Sequence, residues 1–121
     1  MKIKKKIFLT GSDGYIGSFL KKKLEKIYTV IGSDITKGND LNNDNYLKQI
    51  FKQNKIYAII FCHGLNSTPL LKNKKNKDEN FNKNLIQNYF DINFFLNLNV
   101  IKNYIKYQKE GRIINLSTIY S

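Results

Sequence analysis

The sequence predicts a doubly wound α/β fold, in which helices cover both faces of a parallel sheet to give three layers. Short apolar runs alternate along the chain with segments whose apolar residues recur at helical spacing, which is typical of this class. Several of the runs, such as "YAIIFC" and "RIINL", are apolar on successive residues. Continuous apolarity indicates strands that are covered on both faces, as the inner strands of a parallel sheet are.

Four strands are expected, at Lys6–Thr10, Thr29–Ser33, Ile56–Cys62 and Arg112–Ser117. Between the first two, "GYIGSFLKKKLEKI" has the spacing of an amphipathic helix with lysines on its outer side. The face of this helix that is expected to be buried consists of Ile16, Phe19, Leu20, Leu24 and Ile27. A shorter helix in "NDNYLKQIFKQ" is expected to bury Tyr46, Leu47, Ile50 and Phe51.

A long helix is expected from about Asn82 to Lys109, with two adjacent apolar stripes. The first stripe consists of Leu85, Tyr89, Ile92, Leu96 and Val100, and the second of Ile86, Phe90, Phe94, Leu98, Ile101 and Ile105. Asn93 falls between the stripes, so we expect it to be buried with hydrogen-bond partners. One sheet does not cover so wide an apolar arc, which suggests a homodimer that packs through residues 82–109.

Residues 1–121 are expected to form a single domain, and their composition limits the class of protein. Cys62 is the only cysteine, so an intramolecular disulfide and a thiolate metal cluster are excluded, and no metal site is expected. No apolar run approaches the roughly 20 residues of a membrane span, and the run at Ile7–Leu9 is too short for a signal peptide. We expect a cytoplasmic protein that has no membrane partner.

The net charge of +12 raises the question of a nucleic-acid partner. Nearly all of the positive charge is lysine, scattered along the chain, and Arg112 is the only arginine. Proteins that read bases favour arginine, whose guanidinium can form two hydrogen bonds with one base. A solvated lysine surface therefore fits better than a nucleic-acid site, and the densest run, "LKNKKNKDEN", is expected to be a surface loop.

Three of the seven glycines lie in the turn "TGSDGYIG", between the first strand and the first helix. Gly11, Gly14 and Gly17 permit a tight turn, a close approach of the backbone to a ligand, and close packing of the helix on the strand. The N–H groups and the dipole of the helix start favour a phosphate, so a dinucleotide's diphosphate is expected over residues 11–17. A close-packed turn that binds no ligand would explain the same glycines.

An acidic residue, Asp34, ends the second strand 17 positions after Gly17. A carboxylate there can accept hydrogen bonds from both ribose hydroxyls of NAD and repel the additional phosphate of NADP. Asp13 adds negative charge, whereas Lys37 is a nearby cation that could hold a 2′-phosphate. NAD is therefore the expected cofactor and NADP the less favoured one, while an ordinary turn acid is the other interpretation of Asp34.

Taken in order, several motifs resemble the short-chain dehydrogenase/reductase family. "TGSDGYIG" is similar to the T-G-x-x-G-x-x-G turn of its extended members, "GNDLNNDNYLKQIF" to its adenine-binding segment, and "AIIFCHGLNS" to its strand that ends in N-N-A-G. "DINFFLNLNV" resembles the helix with the catalytic asparagine, and "GRIINLSTIYS" the strand that ends in G-x-I-[IV]-N-[IL]-S-S-x-Y-G. The resemblance covers almost the whole chain and implies a Rossmann-like sheet, truncated after the family's fifth strand.

The resemblance also implies roles for individual residues. Asp40 would face the adenine amino group, and Leu41 would line the adenine pocket. Asn93 matches the catalytic asparagine, and Thr118 stands in the place of the catalytic serine, with Ser117 directly before it. The cofactor-binding candidates are Gly11, Ser12, Asp13, Gly14, Tyr15, Ile16, Gly17, Asp34, Ile35, Asp40, Leu41, His63 and Gly64.

The chain departs from the family pattern in three places. Phe61 and Cys62 replace the asparagines of N-N-A-G, and His63 replaces the alanine, where it could face a ligand or serve as a hydrogen-bonded structural group. Asp40 follows Asp34 by only six positions, so the family's third strand and its helix are compressed. The family's Tyr-x-x-x-Lys pair, in which the tyrosine is the general acid/base, is not in this sequence.

The expected function is that of the cofactor-binding half of an NAD-dependent oxidoreductase or nucleotide-sugar epimerase/reductase. The whole enzyme would move a hydride to or from a carbonyl or alcohol carbon of a small molecule, and the extended form of the glycine turn favours a nucleotide sugar. A non-catalytic dinucleotide-binding module, or the inactive product of a gene fragment, is the alternative. A nucleic-acid-associated protein is a third hypothesis, based on charge alone.

Overall fold

The computed structural model describes residues 3–64 and 83–116. Its elements in chain order are β1 (Lys6–Thr10), α1 (Tyr15–Leu24), β2 (Thr29–Ser33), a 3₁₀ turn (Ile35–Lys37), α2 (Asp44–Gln53), β3 (Ile56–Phe61), α3 (Lys83–Phe90), a π-helical turn (Asp91–Phe95), α4 (Leu96–Tyr107) and β4 (Arg112–Asn115). Strands β1 and β2 have the predicted bounds, and β3 ends one residue earlier than predicted. None of the helices in these two ranges could cross a membrane.

The strands form one parallel sheet in the order β2-β1-β3-β4. Thr10 at the end of β1 lies opposite Ser33 of β2 and Phe61 of β3, so these three strands finish at the same edge. The chain moves outward from β1 to β2 and then returns across β1 to β3. At such a reversal of strand order, the connections that follow β1 and β3 leave on opposite faces and open a crevice at the carboxyl edge.

Side chains of the sheet contribute to two cores, one on each face. Helices α2 and α4 cover the first core, whose buried residues are Phe8, Leu41, Leu47, Phe51, Ile56, Ile59, Phe61, Val100 and Tyr104. Helix α1 covers the second core, which consists of Ile7, Leu9, Ala58 and Ile60. The predicted three-layer, doubly wound α/β fold is therefore confirmed. The predicted inner face of α2 is also correct, because Leu47 and Phe51 are buried and Tyr46 and Ile50 pack against them.

The buried face of α1 differs from the prediction. Ile16, Phe19 and Ile27, all expected to be buried, are 55%, 61% and 67% exposed. Of the predicted face, only Leu20 and Leu24 pack against the second core.

A backbone contact sets the rotation of α1. Gly17 is the buried residue of the helix, and a Cβ on it would overlap the carbonyl oxygen of Gly11. The helix backbone therefore lies directly against the turn that follows β1. Because successive helix residues are about 100° apart, the neighbouring Ile16 and Phe19 then point away from the sheet.

Strand β4 is the outer strand of the described sheet, and no described helix covers either of its faces. The apolar run "RIINL" predicts cover on both faces, but Ile113 and Ile114 are 44% and 46% exposed. The prediction is wrong for this strand because α1, α2 and α4 pack on the cores centred on β1 and β3.

The predicted long helix is present as α3, the π-helical turn and α4 in succession. A π-helical turn contains one residue more than an α-helical turn. The residues that lie on a given face after it are therefore one position further along the chain than regular α-helical spacing predicts. From the first predicted stripe, Val100 is buried, and Ile92 and Leu96 are half-buried. The second stripe is largely exposed, through Ile86, Phe90, Phe94, Leu98 and Ile105.

The side chain of Gln108 fastens the end of α4 to the connection between α2 and β3. Its Oε1 accepts a hydrogen bond of 3.0 Å from the Ile56 N–H. Its Nε2 donates to the carbonyls of Phe51, at 3.1 Å, and Asn54, at 2.7 Å. Beside it, the Tyr104 hydroxyl donates to the Ile56 carbonyl at 2.6 Å. One helix end thus satisfies the backbone polar groups of a distant turn.

We expect Gln108→Ala to lower the free energy of unfolding by about 1–3 kcal/mol, because one backbone N–H and two carbonyls lose a partner in a half-buried place. Urea denaturation followed by circular dichroism measures the change. Lys109→Ala is the matched control, since Lys109 is the next residue and is exposed. Equal losses in the two variants would show that Gln108 does not fasten this turn.

Candidate functional site

The carboxyl ends of β1, β2 and β3 open onto a cleft of about 500 Å³. The residues that line it are Gly11, Gly14, Ser33, Asp34, Ile35, Asn39, Asp40, Leu41, Asn42, Cys62, His63, Gly64, Ile92 and Leu96. Eight of the predicted cofactor-binding residues therefore meet in one place, although they come from three separate segments of the chain.

A larger groove, of about 720 Å³, runs along the outer face of α1. Tyr15, Ile16 and Phe19 line it, so the side chains of two predicted cofactor-binding residues lie outside the cleft. Only residues of α1 and the residue after it, Glu25, line this groove, and none of the described strands ends there. The cleft at the carboxyl edge is the candidate site because several polar groups and a helix start converge there.

Different structural constraints act at the three glycines of the turn. Gly11 has a φ of 65°, and a Cβ on it would lie 2.6 Å from the His63 backbone nitrogen. Gly17 is required by the contact with the Gly11 carbonyl described above. Gly14 is less constrained, because its Cβ would meet only the Gly11 carbonyl oxygen, at 3.3 Å. Packing therefore explains Gly11 and Gly17, whereas Gly14 keeps the cleft wall free of a side chain.

The amino terminus of α1 meets the cleft at Gly14, without a capping side chain. The first turn of a helix has N–H groups without intrahelical partners, here those of residues 15–17. Together with the helix dipole they provide a partial positive charge, which suits a phosphate group. The Ser33 hydroxyl, in the wall of the same cleft, is buried and has no hydrogen-bond partner among the described residues. Both features fit a polar ligand such as a diphosphate.

Two predicted residues of the turn serve its internal structure. The Ser12 side chain is 1% exposed, and its N–H donates to the Ser33 carbonyl at 3.2 Å. The Asp13 N–H donates to the Asp34 carboxylate at 2.9 Å, while the Asp13 side chain is exposed at the rim. The turn is thus hydrogen-bonded to the end of β2 at two successive residues.

Both carboxylate oxygens of Asp34 accept hydrogen bonds. Oδ2 accepts from the Asp13 N–H, and Oδ1 accepts from the Thr36 N–H at 3.0 Å and the Thr36 hydroxyl at 2.8 Å. Desolvation raises the pKa of Asp34, but the hydrogen bonds from Thr36 and Asp13 and the charge of Lys37 outweigh it, so the pKa lies below its ordinary value. The carboxylate is therefore ionised at neutral pH, and Oδ2 can accept a further hydrogen bond.

Helix α4 anchors the loop that contains Asp40 and Leu41. The Asn99 Nδ2 donates to the Leu41 carbonyl at 2.8 Å, and the Asp40 Oδ1 accepts from the Asn42 N–H at 2.9 Å. The Leu41 side chain belongs to the first core and also lines the cleft. An acidic and an apolar side chain are thus held in the same wall.

His63 connects β1, the end of β3 and the π-helical turn. Its Nδ1 lies 2.7 Å from the Thr10 hydroxyl oxygen and its Nε2 3.1 Å from the Ile92 carbonyl oxygen. Because a carbonyl only accepts, Nε2 is assigned the hydrogen, and Nδ1 of the neutral ring accepts from Thr10. Burial lowers the pKa of His63, although the Ile92 carbonyl and Asn97 act in the opposite direction. The sequence leaves two roles open for His63, facing a ligand or serving as a hydrogen-bonded structural group. Because both ring nitrogens bind other groups of the protein, the structure favours the second role.

Asn93 lies in the π-helical turn and is exposed, so the prediction that it is buried is wrong. The residues beside it on the second apolar stripe, Phe90 and Phe94, are themselves more than half exposed, at 57% and 52%, because the sheet does not reach them. The Asn93 Oδ1 lies 3.3 Å from the position of a Cβ on Gly64, at the border of the cleft. The other catalytic candidates, Ser117 and Thr118, lie outside the described residues.

Sequence reasoning missed six of the residues that line the cleft, namely Ser33, Asn39, Asn42, Cys62, Ile92 and Leu96. Ser33 precedes Asp34 in the chain, and Asn39 accepts a hydrogen bond of 3.2 Å from the Asp34 N–H. Their nearness to a predicted strand end was a usable signal. Ile92 and Leu96 carry no local signal, since only the packing of the long helix brings them here.

Several solved structures have the same fold as this chain. UDP-glucose 4-epimerase from Bifidobacterium longum, in complex with NAD+ and UDP, gives a TM-score of 0.72 at 19% identity, over 95% of this chain and 37% of its own. L-threonine dehydrogenase from Clostridium difficile gives 0.70 at 22% identity, over 98% and 38%. A short chain dehydrogenase from Burkholderia cenocepacia, in complex with NADP, gives 0.66 at 20% identity, over 95% and 54%.

These similarities show a Rossmann-like fold, and this chain spans between 37% and 54% of the length of the three proteins. No protein-family model matches the sequence, and no curated protein does.

We expect the free energy of unfolding to decrease as the pH falls below about 6.5, the ordinary pKa of imidazole. The pKa of His63 is lowered in the folded state, so the unfolded chain binds more protons between the folded value and about 6.5. The contribution of His63 to stability is complete above this window and is lost as the pH falls through it. Asp34 and Asp44, whose pKa values are also lowered, titrate at lower pH.

Because His63 is the only histidine, NMR of its ring protons gives the midpoint of its titration directly. His63→Asn is the control, since it removes the titrating group and should flatten the dependence of unfolding free energy on pH in this range. A midpoint at or above 6.5 in the folded protein would contradict the assignment.

Proposed function

We propose that this chain binds a nicotinamide dinucleotide and forms the cofactor-binding half of an NAD(P)-dependent oxidoreductase or nucleotide-sugar epimerase/reductase. The observation that carries the proposal is the meeting of an uncapped helix start with an ionised carboxylate, Asp34, in one cleft at the carboxyl edge of the sheet. The similar epimerase and short chain dehydrogenase, crystallised with NAD+ and NADP, support it. NAD is the preferred form of the cofactor.

Each wall of the cleft would hold a different part of the dinucleotide. The N–H groups of residues 15–17 would donate to the diphosphate, because they lie at the positive end of the helix dipole and have no other partner in the part of the chain that the structure describes. Asp34 would accept hydrogen bonds from the ribose hydroxyls, and Asp40 and Leu41 would contact the adenine. His63, at the end of β3, would line the nicotinamide half.

When bound, the nicotinamide supplies a donor or acceptor of hydride for a carbonyl or alcohol carbon of a small molecule. Asn93, at the border of the cleft, would help to hold the helix distortion, and Ser117 and Thr118 would offer hydroxyls to the substrate carbonyl. The extended form of the glycine turn favours a nucleotide sugar as substrate.

A dinucleotide-binding module without catalysis is the second candidate. The residues that line the cleft support it, since binding of the dinucleotide alone needs no acid/base tyrosine. Determining the gene sequence beyond the codon for Ser121 separates the two: continuation into such a pair supports the enzyme, and a stop codon supports the module.

Calorimetric titration of the full chain with NAD and NADH tests the proposal, and we expect binding that Gly14→Ala weakens at least tenfold, or about 1.4 kcal/mol. The added methyl group would project from the cleft wall that the diphosphate approaches. Its closest contact in the protein is at 3.3 Å, so the variant should fold with a loss of stability below about 1 kcal/mol.

Gly17→Ala is the contrasting variant, because its methyl group would overlap the Gly11 carbonyl and should destabilise the fold itself by about 1–3 kcal/mol or more. Failure of the folded wild-type chain to bind NAD or NADH at millimolar concentration would refute the proposal. Unchanged affinity in Gly14→Ala would show that the diphosphate does not lie against this turn.

A second copy of the chain is the proposed protein partner. Five members of the second apolar stripe on the long helix are between 40% and 67% exposed, namely Ile86, Phe90, Phe94, Leu98 and Ile105. Water contact with so many large apolar side chains is unfavourable, and packing against an identical helix would relieve it.

We expect the chain to elute as a dimer in size-exclusion chromatography and Leu98→Glu to convert it to a monomer, because a carboxylate within the stripe opposes burial. Asn88→Glu, on the polar side of the same helix, introduces the same charge and should leave the dimer intact. A wild-type chain that is monomeric at all concentrations tested would rule out this interface.

A further inference from the structure

The structure places one lysine beside the acidic end of the cleft and pairs it with a carboxylate. The Lys37 Nζ lies 3.2 Å from the Asp13 Oδ1, and both side chains are partly exposed, at 41% and 38%. The charge of the lysine is therefore compensated by the protein, although the pair remains open to solvent and to exchange of partners.

Thr36 connects this ion pair to Asp34. Its hydroxyl oxygen lies 3.1 Å from the Asp13 Oδ2 and 2.8 Å from the Asp34 Oδ1. The Asp13 N–H also donates to the Asp34 Oδ2, at 2.9 Å. Asp13, Asp34 and Lys37 thus form one cluster, here called the rim cluster, with two negative charges and one positive charge.

We propose that Asp13 strengthens the preference for NAD over NADP by holding Lys37 in this ion pair, in addition to the charge of Asp34. The inference rests on the proposed function, since it concerns the ribose that Asp34 would bind. A 2′-hydroxyl can donate to a carboxylate, and the rim cluster has free acceptor capacity for it.

A 2′-phosphate instead brings up to two negative charges and no donor in its ionised form, so it needs a cation that is not already compensated. With Asp13 in place, the rim cluster offers it a net negative charge.

Asp13→Asn tests the proposal. The asparagine side chain has the shape of the aspartate side chain and retains an oxygen that can accept a hydrogen bond from Thr36. The backbone N–H that donates to the Asp34 carboxylate is unchanged. The substitution removes the charge that compensates Lys37. Calorimetric titration with NADP and with NAD should give an affinity for NADP that rises about five- to tenfold and an affinity for NAD that changes less than about twofold.

Glu25→Gln is the matched control. It also removes an acid paired with a lysine, Lys21 at 3.9 Å, but at the far end of α1, about 15 Å along the helix axis. Lys37→Gln completes the test as a double-mutant cycle. In the wild-type background it should leave the affinity for NADP nearly unchanged, whereas in the Asp13→Asn background it should cancel the gain.

Each outcome decides the matter. Equal NADP affinities in Asp13→Asn and Glu25→Gln would overturn the inference. It would also be overturned if Lys37→Gln lowered the affinity for NADP by the same factor in the wild-type and the Asp13→Asn backgrounds. In these cases binding of NAD by the wild type would leave the proposed function intact. A folded wild-type chain that binds neither NAD nor NADP would overturn the inference together with the proposed function.

Discussion

The close contact between Gly17 and the Gly11 carbonyl is the constraint on which the rest of the site depends. It holds the backbone of α1 against the turn after β1, so the helix begins at the carboxyl edge of the sheet with its first N–H groups at the cleft. The same Gly11 carbonyl accepts a hydrogen bond of 3.1 Å from the Gly14 N–H, which closes the turn. Turn, helix start and cleft wall are therefore one rigid unit, and α1 cannot rotate to bury its larger side chains without breaking it.

Hydrophobic patterning was sufficient to predict the strands, the order of elements and the turn, because continuous apolar runs and glycines report burial and backbone shape locally. It failed where another part of the molecule decides the outcome. Ile16 and Phe19 follow a helical period, but a backbone contact rather than side-chain burial sets the rotation of α1. Asn93 lies between apolar stripes, but the sheet covers only one of them. The cleft could be predicted from its glycines and acids, whereas Ile92 enters it through the path of a distant helix.

Side-chain amides of α4, and that of Gln108 at its end, form long-range hydrogen bonds that no local sequence pattern predicts. Asn99 holds the loop that contains Leu41, and the buried Asn103 donates to the Asp44 carboxylate at 3.1 Å. Gln108 satisfies three backbone groups where α2 ends and β3 begins. The two residues in each of these hydrogen bonds are 52 to 59 positions apart in the chain. A hydrogen bond over that separation depends on the finished fold, so its members look like ordinary polar surface residues in the sequence.

The π-helical turn has a consequence for how the gene can change its length. A single π-helical turn holds one residue more than an α-helical turn over nearly the same rotation. Loss of one residue from 91–95 would therefore restore a regular α-helix and leave Val100 and Tyr104 facing the core. The same loss within α4 would instead turn every residue after it by about 100°, so the π-helical turn is the place where this long helix can change its length with the least effect on packing.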